Sequence, residues 1–143
     1  MEWLLGLGAN KNARDNGGGT PLWLAAADSH PRCVQLLLKA GADAGIVDDT
    51  GRIPLHYAPA KSVECTALLI TAHPTGVNTV DNYGRTPLHN AARSGKADVC
   101  SLLLNAGSDF DSVDNDGHTP LSWALRNGKR DVAERLLDRG AKL

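Results

Sequence analysis

The sequence predicts an all-α solenoid of stacked helix-turn-helix units. Three observations carry that expectation. Pro21, Pro54, Pro87 and Pro120 are each followed by Leu and stand 33 residues apart. Gly18, Gly51, Gly84 and Gly117 keep the same period, as do Asp15, Asp48, Asp81 and Asp114. Between these marks each unit carries two helical stretches of about nine residues, below the ~12–15 that an isolated helix needs in water. Self-similarity at such a period marks an array whose units bury their apolar faces only against their neighbours.

The third unit is the fullest: Asp81-Asn82-Tyr83-Gly84-Arg85-Thr86-Pro87-Leu88-His89-Asn90-Ala91-Ala92, then Gly95, then Val99 and Leu102-Leu103-Leu104, then Gly107-Ser108-Asp109. The Thr86 hydroxyl can accept a backbone N–H at a helix start. Pro87 suits the first turn, where its missing N–H costs nothing. Ala91 and Ala92 suit a closely packed inner helix, and Gly95 suits the left-handed residue that ends it. Val99, Leu102, Leu103 and Leu104 then give the buried side of a second helix. Gly107 ends that helix, and Asp114-Asn115-Asp116-Gly117 forms the next turn.

This pattern resembles the ankyrin repeat, marked by D-x-x-G-x-T-P-L-H-x-A-A, a Leu-rich second helix and G-A-D. The resemblance covers nearly the whole chain and implies helix-turn-helix units joined by β-hairpin loops. The units are expected at 15–47, 48–80, 81–113 and 114–143, behind a partial unit at 1–14 that holds the end of an outer helix and a hairpin. Trp3 to Asn10 matches Leu36 to Asp43, so the chain is expected to begin inside an outer helix, as a piece of a longer array does, the alternative being a stub that serves as a rough cap. Trp3, Leu4 and Leu7 would then form an apolar end.

The departures from the pattern are informative. The first unit has Gly17-Gly18-Gly19 in its turn and Trp23 at the His position. The second has Ile53 for the capping Thr, and Pro59 for the second Ala, which should shorten the inner helix. Its apolar run Leu68-Leu69-Ile70 comes one residue early, and the following turn His73-Pro74-Thr75-Gly76 is one residue longer. This unit should be the least regular and locally the least stable. The last outer helix carries Arg130, Glu134, Arg135, Asp138 and Arg139, the polar cover of a capping unit.

Composition narrows the functional classes. The 143 residues carry 15 Lys and Arg against 16 Asp and Glu, a formal net charge of -1, so no global basic excess points to nucleic acid. Hydrophobic residues are 42% and charged residues 22%, which suits a folded domain. Aromatics are only 4%, leaving Leu and Ala to fill the core. Cys33, Cys65 and Cys100 are odd in number and lack CxxC spacing, which fits a reducing compartment, the cytoplasm or the nucleus. No signal peptide or membrane span is read in the chain.

No catalytic constellation is present: HExxH, GxSxG and GxGxxG are missing, and Gly95-Lys96 and Gly128-Lys129 lack the rest of a P-loop. A non-enzyme without cofactor or metal is expected. Gly17-Gly18-Gly19 reads as a turn rather than a phosphate cradle. Asp114-x-Asp116-Gly117 resembles the start of a calcium loop, but Leu125 stands where the bidentate Glu belongs. In the ankyrin family the His56 and His89 position hydrogen-bonds an adjacent hairpin backbone, a structural role. The cysteines read as small buried hydrophobes. Asn12 and Asn78 hold the position that an asparaginyl hydroxylase modifies in some ankyrin proteins, in surroundings that fit poorly.

What remains is a surface. The resemblance implies a concave face made of hairpin tips and inner helices. The family's contact positions fall here on Arg52, Lys61, Arg85, Arg93 and Arg126, against Asp28, Asp49 and Asp116, a local net charge of +2. Tyr83 and His118 lie among them, and Tyr and Arg are enriched in binding hot spots. The expected partner-binding residues are Arg52, Lys61, Tyr83, Arg85, Arg93, His118 and Arg126. The expected function is a non-catalytic interaction module that binds a partner protein or peptide, acidic in character. The chain would act as a monomer or within a larger multi-repeat protein. The alternatives are a scaffold segment of a longer array and, with only Tyr83 expected for base stacking, a nucleotide or nucleic-acid binder.

Overall fold

The computed structural model describes residues 10–58 and 61–143. The apolar end expected at Trp3, Leu4 and Leu7, and Pro59 itself, lie outside the described residues. Among those described there are eight α-helices and no strand: α1 Pro21–Ala27, α2 Pro31–Lys39, α3 Pro54–Tyr57, α4 Val63–Ala72, α5 Pro87–Ser94, α6 Ala97–Asn105, α7 Pro120–Arg126 and α8 Arg130–Asp138. A 3₁₀ turn, Pro74–Asn78, follows α4 in the place of the lengthened turn.

The helices form two layers. Each odd-numbered inner helix pairs with the outer helix that follows it, and each packs on its counterpart in the next unit: α1 on α3 on α5 on α7, and α2 on α4 on α6 on α8. The core runs along the seam between the layers through Leu22, Val34, Leu37, Leu55, Leu69, Leu88, Leu103, Leu121 and Leu136, all nearly inaccessible to solvent. Ala26, Ala58, Ala91, Ala92 and Ala124 are fully buried, and this lack of side-chain bulk allows neighbouring inner helices to approach closely.

Local chemistry sets the helix ends. Thr20, Thr86 and Thr119 accept the backbone N–H of Trp23, His89 and Ser122, each three residues on. Pro follows each of them at the first helical position. Gly95 closes α5 at φ +79°, a left-handed conformation that carries little strain in glycine. The second unit departs as its sequence requires. Ile53 supplies no side-chain cap, and α3 is only four residues long. Ile53 is instead buried, with 1% of its surface exposed.

The turns are built around the periodic aspartates. The Oδ1 atom of Asp48 accepts the N–H groups of Thr50 and Arg52 at 2.8 and 3.0 Å. Asp81 does the same for Tyr83 and Arg85, both at 2.9 Å, and Asp114 for Asp116 and His118 at 3.0 and 2.9 Å. In the first unit Asp15 accepts from Gly17 and Gly19 at 2.9 and 2.8 Å. Those two amides are thereby committed to the turn. Successive turns are joined edge to edge: Asp49 N–H donates to Gly17 O, Asn82 N–H to Thr50 O and Asn115 N–H to Tyr83 O. Asn12 and Asn78 serve the same purpose lower in the stack, each accepting the backbone N–H of the residue 31 positions ahead, Asp43 and Asp109.

The short, uncapped α3 places the weakest inner-helix backbone in the second unit. Native-state hydrogen exchange should show amides 55–58 exchanging at least tenfold faster than amides 88–92, equivalent to about 1.4 kcal/mol less local protection. Equal protection would show that neighbouring units fully compensate for the missing turn.

Candidate functional site: a guanidinium-aromatic face

The turn positions and the inner helices present one continuous face, held from behind by bridges between units. His56 accepts the Ile53 N–H at Nδ1, 3.2 Å away, so Nε2 carries the proton and donates to Arg85 O at 3.0 Å. His89 repeats the arrangement, accepting from Thr86 N–H at 3.1 Å and donating to His118 O at 3.0 Å. The first unit has no histidine there, and Trp23 supplies the donor instead: its Nε1–H reaches Asp48 Oδ2 at 3.0 Å. Ser122 holds the position in the fourth unit and hydrogen-bonds back to Thr119.

On the outer side of these bridges, aromatic rings and guanidinium groups alternate. Trp23 meets Tyr57 edge to face at 5.0 Å between ring centres. Arg52 lies 5.5 Å from the Tyr57 ring and 5.8 Å from the Tyr83 ring. Arg85 lies 5.2 Å from Tyr83 and 5.1 Å from Trp123. Trp123 meets His118 edge to face at 5.6 Å, and His118 Nε2 is in hydrogen-bonding contact with Arg126. Each contact within about 6 Å is a cation–π or aromatic attraction of roughly 0.5–1 kcal/mol at an exposed site.

The turn aspartates anchor this ladder through their second oxygens. Asp48 Oδ2 accepts from Tyr57 Oη–H at 2.7 Å as well as from Trp23. Asp81 Oδ2 accepts from Arg52 Nε at 2.9 Å, and Asp114 Oδ2 from Trp123 Nε1–H at 2.8 Å. Burial alone would raise the pKa of Asp48. The donors from Tyr57, Thr50 and Arg52 outweigh it and hold that carboxyl below its ordinary value. Asp114 ends low for the same reason, with the donors of His118, Trp123 and Asp116 overcoming burial.

The structure brings the seven expected residues into two linked groups. Tyr83, Arg85, His118 and Arg126 lie along the ladder. Lys61 and Arg93 line a cleft with Ala27, His56, Tyr57 and Asn90. Arg52 belongs to both. Tyr83 is 52% exposed, the most open ring of the ladder. Arg85 Nε is shielded from solvent and has no hydrogen-bond partner among the described residues.

One sequence expectation is corrected here. Tyr83 is not the only aromatic on the face, because Trp23, Tyr57 and Trp123 join it. Tyr57, Asn90 and Trp123 each fall three residues after the repeat proline. That column reads Leu24, Tyr57, Asn90 and Trp123, and its residue types differ from unit to unit.

Ligand atoms of Asp114, Asp116 and His118 lie within 4.8 Å of one another, but both Asp114 oxygens already accept N–H donors. Cys65 and Cys100 are fully buried, and burial pushes the Cys100 thiol up to about 12, far from a reactive thiolate.

The two-layer stack, its inter-unit bridges and its continuous outer face define a helical repeat solenoid of the interaction type. The chain belongs to the ankyrin-repeat family: the family model for ankyrin repeats (3 copies) matches residues 1–79 and again 60–143. A search of curated protein sequences finds no match. Ankyrin repeats are in general protein–protein interaction modules and typically not enzymes. No described helix is long and apolar enough to cross a membrane.

The bridging histidines make stability depend on pH. Burial outweighs the backbone carbonyl contacts and lowers the pKa of both His56 and His89 below 6.5, so both are neutral in the fold. Their stabilisation is full above 6.5 and is lost as pH falls below it, because the unfolded chain takes up protons that the folded chain refuses. Denaturation series should show a stability plateau above pH 7. Below pH 6.5 stability should decline by up to ~1.4 kcal/mol per pH unit per histidine. A second decline below pH 3.8 should follow as Asp48 and Asp114 become protonated in the unfolded state first. A flat profile between pH 7 and 5 would show that the rings are not held neutral.

Proposed function

We propose that the ladder face binds a partner protein or peptide through an acidic segment. Arg52, Lys61, Tyr83, Arg85, Arg93, His118 and Arg126 form the contact surface, and the chain itself is non-catalytic. The observation that carries this reading is the alternation of Arg52, Tyr83, Arg85 and Trp123 across three successive units. Tyr and Arg bury large areas at a small ordering cost when they are already fixed, and they dominate interface hot spots. The ladder orders them before any partner arrives.

The aromatic faces do not suit single-stranded nucleic acid as well. Base stacking needs open ring faces, whereas Arg52 and Arg85 already lie over Tyr57, Tyr83 and Trp123.

The test is the Tyr83→Ala/Arg85→Ala double substitution, applied to a partner captured by the wild-type chain. At about 2 kcal/mol per hot-spot residue, affinity should fall roughly a thousandfold. The helical circular dichroism signal should persist, because Tyr83 is exposed and the core does not include either side chain. Undiminished binding would remove the ladder from the interface. A complex that survives the substitution but dissolves steeply with salt in the presence of RNA would favour phosphate contacts.

A further inference from the structure

Three cations from different parts of the chain converge on one cleft of about 220 Å³. Arg52 comes from the second turn, Lys61 from the segment between α3 and α4, and Arg93 from the last turn of α5. Tyr57 and Asn90 complete the polar lining, and no carboxylate lines the cleft among the described residues. A water molecule occupies ~30 Å³ of liquid, so the space admits a polyatomic anion with ordered water.

The charge balance is specific. Arg52 Nε is paired with Asp81 Oδ2 at 2.9 Å, and the Asp81 side chain is wholly buried. That contact engages the Nε edge of the guanidinium, and the group also lies 5.5 Å from the centre of the Tyr57 ring. Lys61 and Arg93 form no ion pair among the described residues. Asp81 offsets part of the three positive charges at Arg52, and Asp48 offsets more from behind Tyr57, whose hydroxyl donates to it at 2.7 Å; the site stays net positive. His56, buried and neutral, adds none.

A carboxylate brings one negative charge and two acceptor oxygens to the three cations. A phosphomonoester carries about -1.5 to -2 at neutral pH and offers three strong acceptor oxygens. Guanidinium groups match phosphate oxygens in a two-point fork, and an ammonium adds a compact point charge. A phosphodiester carries only one charge and is matched no better than a carboxylate.

We propose that the Arg52–Lys61–Arg93 cleft is a phosphate-binding subsite that takes a phosphomonoester carried on a side chain of the partner peptide. The inference rests on the reading of the face as a peptide-binding surface and names the chemistry of one anchor. Arg52 lines the cleft and also lies over Tyr83. A peptide anchored there is therefore delivered onto the ladder.

The probe is O-phosphoserine, titrated into the full chain while NMR follows the Nε–H signals of Arg52 and Arg93 and the side-chain amide of Asn90. Saturable shifts are expected, with at least tenfold tighter binding than glutamate. The Lys61→Gln/Arg93→Gln variant should bind at least tenfold more weakly and melt at the same temperature, since both side chains are exposed. An absence of saturable shifts, equal affinity for glutamate or undiminished binding by that variant overturns the proposal. Tighter binding of a short oligouridylate than of phosphoserine also overturns it, in favour of a nucleic-acid site. The two readings separate cleanly. If phosphoserine fails to bind but the Tyr83→Ala/Arg85→Ala variant loses its partner, only the cleft assignment falls. If phosphoserine binds but that variant keeps its partner, the cleft stands and the ladder reading falls.

Discussion

The hydrogen bond from a buried imidazole Nε2–H to the backbone carbonyl of the next turn governs much of this molecule. His56 makes it to Arg85 and His89 makes it to His118. Each ring is fixed at its other nitrogen by the N–H that opens its own helix. The ring therefore measures the distance between one inner helix and the following turn. An imidazolium has no acceptor nitrogen for the helix N–H, so the bridge requires the neutral ring. No unit can bury its short helices alone, and these bridges fix the register in which neighbours do it.

The same bridges connect the stack to its outer face. The carbonyls they grip belong to Arg85 and His118, whose side chains stand on the outer face. The aspartates act from the other direction. One oxygen closes each turn, and in the second, third and fourth units the other holds Tyr57 with Trp23, Arg52 or Trp123. A face assembled this way has little conformational freedom left to lose on binding. Its electrostatics are local rather than global. A chain with a net charge of -1 places Arg52, Lys61 and Arg93 around a cleft whose described lining contains no acid.

Much of the fold was legible because it is local and periodic. Thr-Pro-Leu at a 33-residue spacing announces a cap, a first turn and a buried leucine, and Thr86, Pro87 and Leu88 do those things. Pro59 in place of the second Ala predicts a shortened inner helix, and α3 is four residues long. The site was legible only in part. Arg52, Tyr83, Arg85 and His118 could be placed on one face because they occupy turn positions of the repeat. Their chemical partners could not. The Arg52 contact with Asp81 spans 29 residues and exists only once two units are stacked. Trp23 as a substitute for the bridging histidine was equally hidden, because an indole reaches farther and finds a carboxylate instead of a carbonyl. Tyr57 and Trp123 sit in a column whose residue types vary from unit to unit, so the periodicity that revealed the fold concealed them.

The tautomeric state of the two bridging rings tests this most directly. Long-range ¹H–¹⁵N correlation spectra resolve the protonated and bare nitrogens of each imidazole. At pH 6.5, where an ordinary histidine is half protonated, both rings should be predominantly neutral, with the proton on Nε2 and a bare Nδ1. Rings of His56 and His89 that are mostly doubly protonated at that pH, or that carry their single proton on Nδ1, would contradict the bridging geometry on which both the stack and its outer face rest.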